Sequence, residues 1–489
     1  MYRNIIITIV LFACCWSTQA QWSSSGNGIH YTITELSNID SVNVQKLADG
    51  KFVIGENITI LQGDTLLLEN SVTCINMADN IDITIQGTLL TENRTDSLLL
   101  SGDLMSNKFF SIHFDNATAT TLSNLIIENC YRVLISTTNM EFDKCEFRNF
   151  SDACINYMNC NPIIQHCYFH DNQKAAIASP ANTYGSPKII NNILYNNDLS
   201  NGNFPQINIG PATEDTLYII DNTIEGLASN MSGGIGIMNI YPSNIVTKMF
   251  IANNTIKNNR YGFTQYGKNI SSIIINNYFI DNNLETTPNN GGSGISIYGS
   301  DSSMRAYLRG NVITGNLWGI TAINHHAIDM GTLNDYGNNS IYGNGNSGVK
   351  YDLYNNSADN IYAIGNYWGS NDSLEIENVI VHQPDNANLG KVFYSPFLQA
   401  QPQAITAKTE EDNFVKIYPN PVQNQTIHIY NNSGEKININ LYSVLGQKYK
   451  QIQSNNEHIV IDVTNLPKGI YFLQYTHKHG QSVTKISIQ

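Results

Sequence analysis

The middle of the chain alternates apolar and polar positions around one recurring phrase. An Asn or Cys is followed two residues later by Ile, Phe, Leu or Trp, with a polar residue or Tyr between them. Copies start at Asn124, Cys145, Cys167, Asn192, Asn222, Asn254, Asn277, Asn311, Asn339 and Asn366, at intervals of 21 to 34 residues. Period 2 puts the apolar residue on one face of a short strand and the middle residue on the other. The shortest intervals define one turn of a coil, and the longer ones imply loop insertions. One such coil cannot bury its apolar side alone. Stacking about ten coils does so, with every strand hydrogen-bonded in parallel to its equivalents above and below. Asn suits the corners because its amide bonds nearby backbone and tolerates left-handed conformations, and repeated Asn at one corner can form an amide ladder.

Composition strengthens this reading. The 489 residues include 68 Asn and 64 Ile, and only 13% are charged, which suits short strands and Asn-rich turns and argues against long helices. The formal charge is -14, with 26 Lys plus Arg against 40 acids. Residues 413–489 hold seven Lys and three acids, so residues 21–412 carry -19. An acidic, Arg-poor body argues against a nucleic-acid partner.

Residues 2–20 have a basic start, an apolar run from Ile5 to Cys15 and a small-residue exit at Thr18 and Ala20. This pattern predicts a secretory signal cleaved between Ala20 and Gln21. No later apolar run approaches 20 residues, so no transmembrane segment is expected in the mature chain. Export permits disulfides. Cys145 and Cys167 occupy successive copies of the Asn position and are expected to stack as buried thiols, whereas Cys154 and Cys160 lie in a loop and are the expected bridge.

The Asn-anchored coils, with GNYWGS at 365–370 and GKVFYSPFL at 390–398, resemble secreted right-handed parallel β-helix proteins over residues 55–398. The resemblance implies an all-β solenoid, with residues 21–54 as its N-terminal cap region. It leaves function open, because this architecture carries pectin-degrading enzymes, adhesins and proteins of no known activity. Residues 399–412 read as a linker, and residues 413–489 as a small β-sandwich of alternating strands. Tyr418, Pro419, Asn420 and Pro421, then Leu445 and Gly446, then Leu466, Pro467, Lys468, Gly469, Ile470 and Tyr471, and finally Lys485 resemble, in that order, the type A C-terminal sorting domain of the type IX secretion system of Bacteroidota. That resemblance implies type IX secretion machinery as a partner, passage through the periplasm to the outer surface or medium, proteolytic removal of the domain and attachment of the passenger to lipopolysaccharide.

Candidate chemistry is thinner. Pectate-lyase-like enzymes of this fold need acidic calcium ligands and an Arg base; Arg260 and Arg309 are candidate bases and Asp221 and Asp281 candidate acidic neighbours, but no pattern places two carboxylates near either Arg. Hydrolysis needs paired carboxylates on adjacent coils, for which Asp171 and Asp198, with His166 and His170 nearby, are the available pair. His325, His326 and Asp329 form the densest titratable cluster, although adjacent strand residues point oppositely. Aromatics give a broader clue. Tyr168, Tyr278 and Tyr367 occupy the outward position after the coil anchor, and Tyr261, Tyr266, Tyr298 and Tyr307 fall in nearby segments; an exposed row of rings on a rigid face can stack on sugars while Asn amides bond hydroxyls. The leading expectation is a noncatalytic adhesin or polysaccharide-binding scaffold without cofactor. The alternative is a polysaccharide lyase or hydrolase acting on an acidic polysaccharide, with calcium as cofactor if lyase-like.

Overall fold

The computed structural model describes residues 21–102, 110–241, 244–402, 415–419, 422, 425–431, 434–443, 448–477 and 480–488. The expected leader at 1–20, most of the linker, and the motif residues Asn420, Pro421, Leu445 and Gly446 lie outside the described residues.

The passenger is a parallel β-helix. Among the described residues three sheets of 14, 13 and 11 strands run along it, and apart from the antiparallel pair Val44–Lys46 and Lys51–Ile54 each strand pairs in parallel with its equivalent in the next coil. In the second sheet Phe147, Phe169, Leu194, Ile224, Ile256, Phe279, Ile313 and Ile341 are in register from coil to coil and each is fully buried. The apolar residue two positions after each anchor therefore builds the continuous core that a single coil lacks. The first end is covered by a helix, Ile33–Ile39, which starts at a capping box between Thr32 and Glu35 and buries Ile33 and Leu36.

The anchors form a buried amide ladder. From Asn192 through Asn222, Asn254, Asn277, Asn311 and Asn339 to Asn366, each backbone N–H and each side-chain amide donates to the next Asn Oδ1 at 2.8–3.1 Å. A second ladder stands five residues further along each coil. Asn172 donates to Asn197, Asn197 to Gln206, Gln206 to Asn259, and the chain continues through Asn282, Asn316 and Asn344. The residue before a ladder Asn turns the corner at positive φ, as in Asn253, Asn276 and Asn338 at 58°, 57° and 53°.

The second ladder ends on Asp352, whose buried Oδ1 accepts from the Asn344 backbone and amide at 2.9 and 2.8 Å. Burial pushes this carboxyl up to about 7 from 3.8. A raised folded-state value means that its contribution to stability is fully present below about pH 4 and is lost as pH rises through 7. Asp352→Asn is expected to flatten that dependence and to stabilise the chain at pH 8, by up to roughly 4 kcal/mol. Urea unfolding at pH 4.5 and pH 8 checks this; a variant less stable than wild type at pH 8 refutes it.

Cys145 and Cys167 are buried, unbridged neighbours at the anchor position. The expected Cys154–Cys160 bridge is not formed, and both thiols are free and buried. The strand Ile155–Met158 runs between them, and at about 3.3 Å per residue it holds them too far apart for a disulfide.

The C-terminal module packs an antiparallel three-stranded sheet on an antiparallel four-stranded one, around Ile427, Ile429, Ile439, Leu441, Ile461, Leu473 and Ile486. Its four-stranded sheet also faces the passenger. Tyr218, Phe250, Ile273 and Tyr307 stand in register on the outer side of the third passenger sheet, and Phe472 stacks on Phe250 with centroids 3.8 Å apart. Phe472→Asp is expected to detach the module without unfolding it, because Phe472 lies outside the sandwich core. Small-angle scattering of residues 21–489 should then show a larger radius of gyration; an unchanged profile would show that the contact does not hold the domains together.

Candidate functional site

The charged candidates do not converge. Arg309 donates from Nη2 to Asp329 Oδ1 and Asp335 Oδ2, both at 2.9 Å, and lies 3.8 Å from the Tyr307 ring centroid. Burial opposes its charge, but Tyr307, Asp335 and Asp329 more than offset this and raise its pKa. A guanidinium held so firmly as a cation is a poor proton acceptor. Arg260 pairs through Nε with Glu285 at 3.1 Å and donates from Nη2 to the Asn290 carbonyl at 2.6 Å.

The acids are mostly corner residues. Asp171, Asp221 and Asp281 adopt φ of 55°, 59° and 53°, each just before a ladder Asn, and Asp198 has φ of 68°. Asp198 accepts from the Gly202 and Phe204 backbones at 3.0 and 2.9 Å; burial raises its pKa and that of Asp221. His166 pairs with Asp143 and His170 with Asp171 and Glu146. His325 is exposed and pairs with Asp359 at 3.4 Å, while His326 is buried against Asn355 and Asp329 is engaged with Arg309. Among the described residues no three His, Cys, Asp or Glu side chains are grouped to hold a metal.

The tyrosines divide among all three sheets. Tyr168, 37% exposed, stacks on His170 at 4.2 Å on the second sheet, where Tyr278 also lies; Tyr367 bridges to Ser340 beside Tyr342. Tyr307 lies on the third sheet, towards the C-terminal module. Tyr266 and Tyr298 stand edge to face on the outer face of the first sheet with centroids 4.9 Å apart, and Tyr298 shares a groove with Tyr261.

Tyr266 stands outside the lining of this groove, which has a volume of ≈ 520 Å³. Its floor is the cross-strand row Thr264, Ser296 and Thr321, which ends at Tyr354. The Ser293 and Thr321 hydroxyls bond each other at 2.9 Å. Tyr298 and Ile323 flank one side, and Tyr261 and Trp318 the other, where the arm Pro288–Gly291 closes over. Trp318 Nε1–H donates to the Pro288 carbonyl at 2.9 Å, and its ring lies 5.5 Å from Tyr354 and 4.4 Å from Tyr351. Tyr261 is seated over Gly233, where an added Cβ would come within 2.4 Å of the phenol ring; burial pushes its hydroxyl up to about 12. Trp318, Tyr351, Tyr354 and the hydroxyl floor were not anticipated from the anchor phrase. A second phrase, Gly followed by Ile or Phe at Gly234, Gly262, Gly294 and Gly319, marks this sheet and aligns them.

A further cavity of ≈ 270 Å³ lies between the third sheet and the C-terminal module, lined by Arg309, Asp335, Tyr307, Tyr442 and Phe472. Its Arg309 and Asp335 are paired with each other and its Lys448 lies over the Tyr442 ring, whereas the groove on the first sheet presents rings beside hydroxyls and is the better candidate.

Residues 416–489 match the secretion system C-terminal sorting domain family. This segment belongs to that family. In the sorting domain, Leu466 packs on the sandwich core, and Tyr471 donates through its hydroxyl to the Pro467 carbonyl at 2.8 Å, so part of the motif that resembled this family secures a corner of the fold. The sorting domain directs the chain to the cell surface or the extracellular space through the type IX machinery, and no helix among the described residues is long and apolar enough to cross a membrane. No curated protein matches the chain. Among solved structures it is similar to the periplasmic alginate epimerase AlgG, with 13% identity over 76% of this chain and 84% of that one and a TM-score of 0.47. A mannuronic acid specific polysaccharide family 6 lyase from human gut microbiota shares 13% identity over 76% of this chain and 89% of that one, with a TM-score of 0.37. The siphovirus 9NA tailspike receptor binding domain shares 10% identity over 96% and 94%, with a TM-score of 0.29. These likenesses concern the fold and assign no activity.

Proposed function

We propose that the chain is an exported protein whose β-helix acts as a noncatalytic adhesin or scaffold that binds polysaccharide in the groove on its first sheet. The observation that carries this reading is the combination of half-buried aromatic rings with a floor of hydroxyls on a rigid sheet. Rings take the apolar faces of sugars, and fixed hydroxyls and amides take their OH groups, at little ordering cost because the strands are already locked in the solenoid. Strands about 4.8 Å apart set these columns at a spacing close to the length of one pyranose, so a glycan lying along the helix axis meets a similar surface on each coil. The leader at residues 1–20 supplies entry to the periplasm in this reading.

The alternative, a lyase or hydrolase, requires an unpaired base or two facing carboxylates beside the bound sugar. No carboxylate lines the groove, and both candidate Arg bases are engaged in ion pairs. The test is to incubate residues 21–489 with purified plant, algal and bacterial polysaccharides, with and without calcium, and to measure retention together with new reducing or unsaturated ends. Binding without new ends is the expected result. New ends would overturn the noncatalytic reading, and absence of binding across the panel would overturn glycan recognition.

A further inference from the structure

We infer that the groove selects uncharged glycan chains and rejects polyuronates. This rests on the glycan-binding reading and adds to it the chemical class of the ligand. Every residue lining the groove is aromatic, hydroxyl-bearing, amide-bearing or apolar, and none is charged. Arg260, which packs against Gly291 of the arm, has its guanidinium committed to Glu285 and to the Asn290 carbonyl. A uronate seated on Thr264, Ser296 and Thr321 would bring one carboxylate per sugar out of water with no counter-charge to meet it, and an unpaired, partly desolvated charge is strongly disfavoured. The hydroxymethyl group of a neutral hexose in the same place needs only a hydroxyl or amide partner, which this floor offers.

The long-range field acts in the same direction. Residues 21–412 carry -19, so a polyanion approaching the β-helix is repelled before contact, over about 8 Å at physiological salt and further at low salt. A neutral chain feels no such barrier. Selection by charge also predicts a gain of function: a single cation on the floor should turn a disfavoured ligand into an accepted one, because it supplies the missing partner at the point of greatest desolvation. Ser296 is the position for it, half-buried at the centre of the row.

Matched ligands isolate the effect. β-1,4-Mannohexaose and its oxidised counterpart, β-1,4-hexamannuronate, differ only in a hydroxymethyl or a carboxylate at each sugar, as do cellohexaose and β-1,4-hexaglucuronate. Calorimetric titration of residues 21–489 is expected to show at least one neutral member binding, with its acidic partner ten-fold weaker or worse at 150 mM salt and weaker again at 20 mM. Ser296→Lys should narrow or reverse the difference within that pair. Equal or tighter binding of the uronate by the wild-type chain would overturn the charge selection while leaving glycan binding in place. Failure of these four ligands and of the wider polysaccharide panel would overturn the glycan reading itself.

Discussion

Asn277→Ala is expected to lower the stability of the β-helix by about 3–5 kcal/mol. Asn277 sits in the middle of the first amide ladder and is fully buried. Its Oδ1 accepts from the Asn254 backbone and amide, both at 2.9 Å, while its own amide donates to the Ile251 carbonyl and to Asn311 at 2.9 and 3.1 Å. Removal therefore strands two buried donors on Asn254 and takes one donor each from the Ile251 carbonyl and from Asn311 Oδ1, which keeps the backbone N–H of residue 277 at 3.0 Å. A buried polar group left without its partner costs about 1–3 kcal/mol, and local relaxation recovers part of the sum. Asn283→Ala is the internal control, because Asn283 is exposed and its amide makes one bond, to the Gly315 carbonyl at 2.8 Å; a change within about 1 kcal/mol is expected there. Urea unfolding of both variants decides the matter. Equal, small losses would mean that the apolar stack alone holds the coils in register and that the ladder adds little.

The coil anchors were legible because two requirements coincide at one position. The Asn must feed its neighbours above and below, and the residue two places on must fill the core, so the spacing repeats even where loops lengthen the coil. The second ladder was harder to read. It follows the first by five residues in Asn254 and Asn259, Asn277 and Asn282, Asn311 and Asn316, and Asn339 and Asn344, but Leu227 occupies the corresponding place after Asn222, and Gln206 reaches in from another strand to bridge the gap. A longer side chain from elsewhere can restore such a column, and nothing local in the sequence announces it.

The candidate acids show the opposite error. Asp171, Asp221 and Asp281 each precede an Asn, and that dipeptide is a corner signal: one residue turns at positive φ and the next enters the ladder. Read as titratable groups they suggested catalysis, whereas read as short polar side chains tolerant of the left-handed region they belong to the frame. The tyrosines were selected mainly through the phrase of the second sheet, which lies on a different side of the helix from the groove. Tyr261 and Tyr298 line the groove while Tyr266 stands outside its lining, and grouping the three with Tyr168, Tyr278 and Tyr367 joined faces that the fold separates. Only the register of the first sheet brings Trp318 and Tyr354 beside them.

Trp318→Ala is expected to weaken binding of a neutral glycan about 10- to 30-fold, which corresponds to about 1.4–2 kcal/mol. Two losses combine in this variant. The indole supplies the largest ring on the groove wall, and its Nε1–H holds the Pro288 carbonyl, so its removal takes away a ring face and frees the arm Pro288–Gly291 at the groove's edge. Trp318→Phe separates the two, since it keeps an aromatic face and drops only the hydrogen bond; an intermediate loss, carried mainly by a faster off-rate, is the expected result. Neither variant should disturb the solenoid, because Trp318 points outward while its neighbour Ile320 fills the core. Unchanged circular dichroism and urea midpoint would confirm that the effect is local. Tyr168→Ala supplies the contrast: it removes a more exposed ring from the second sheet and should leave affinity unchanged. If Tyr168→Ala weakens binding while Trp318→Ala does not, recognition resides in the scattered tyrosines of the second sheet, and the hydroxyl floor of the first sheet has no part in it.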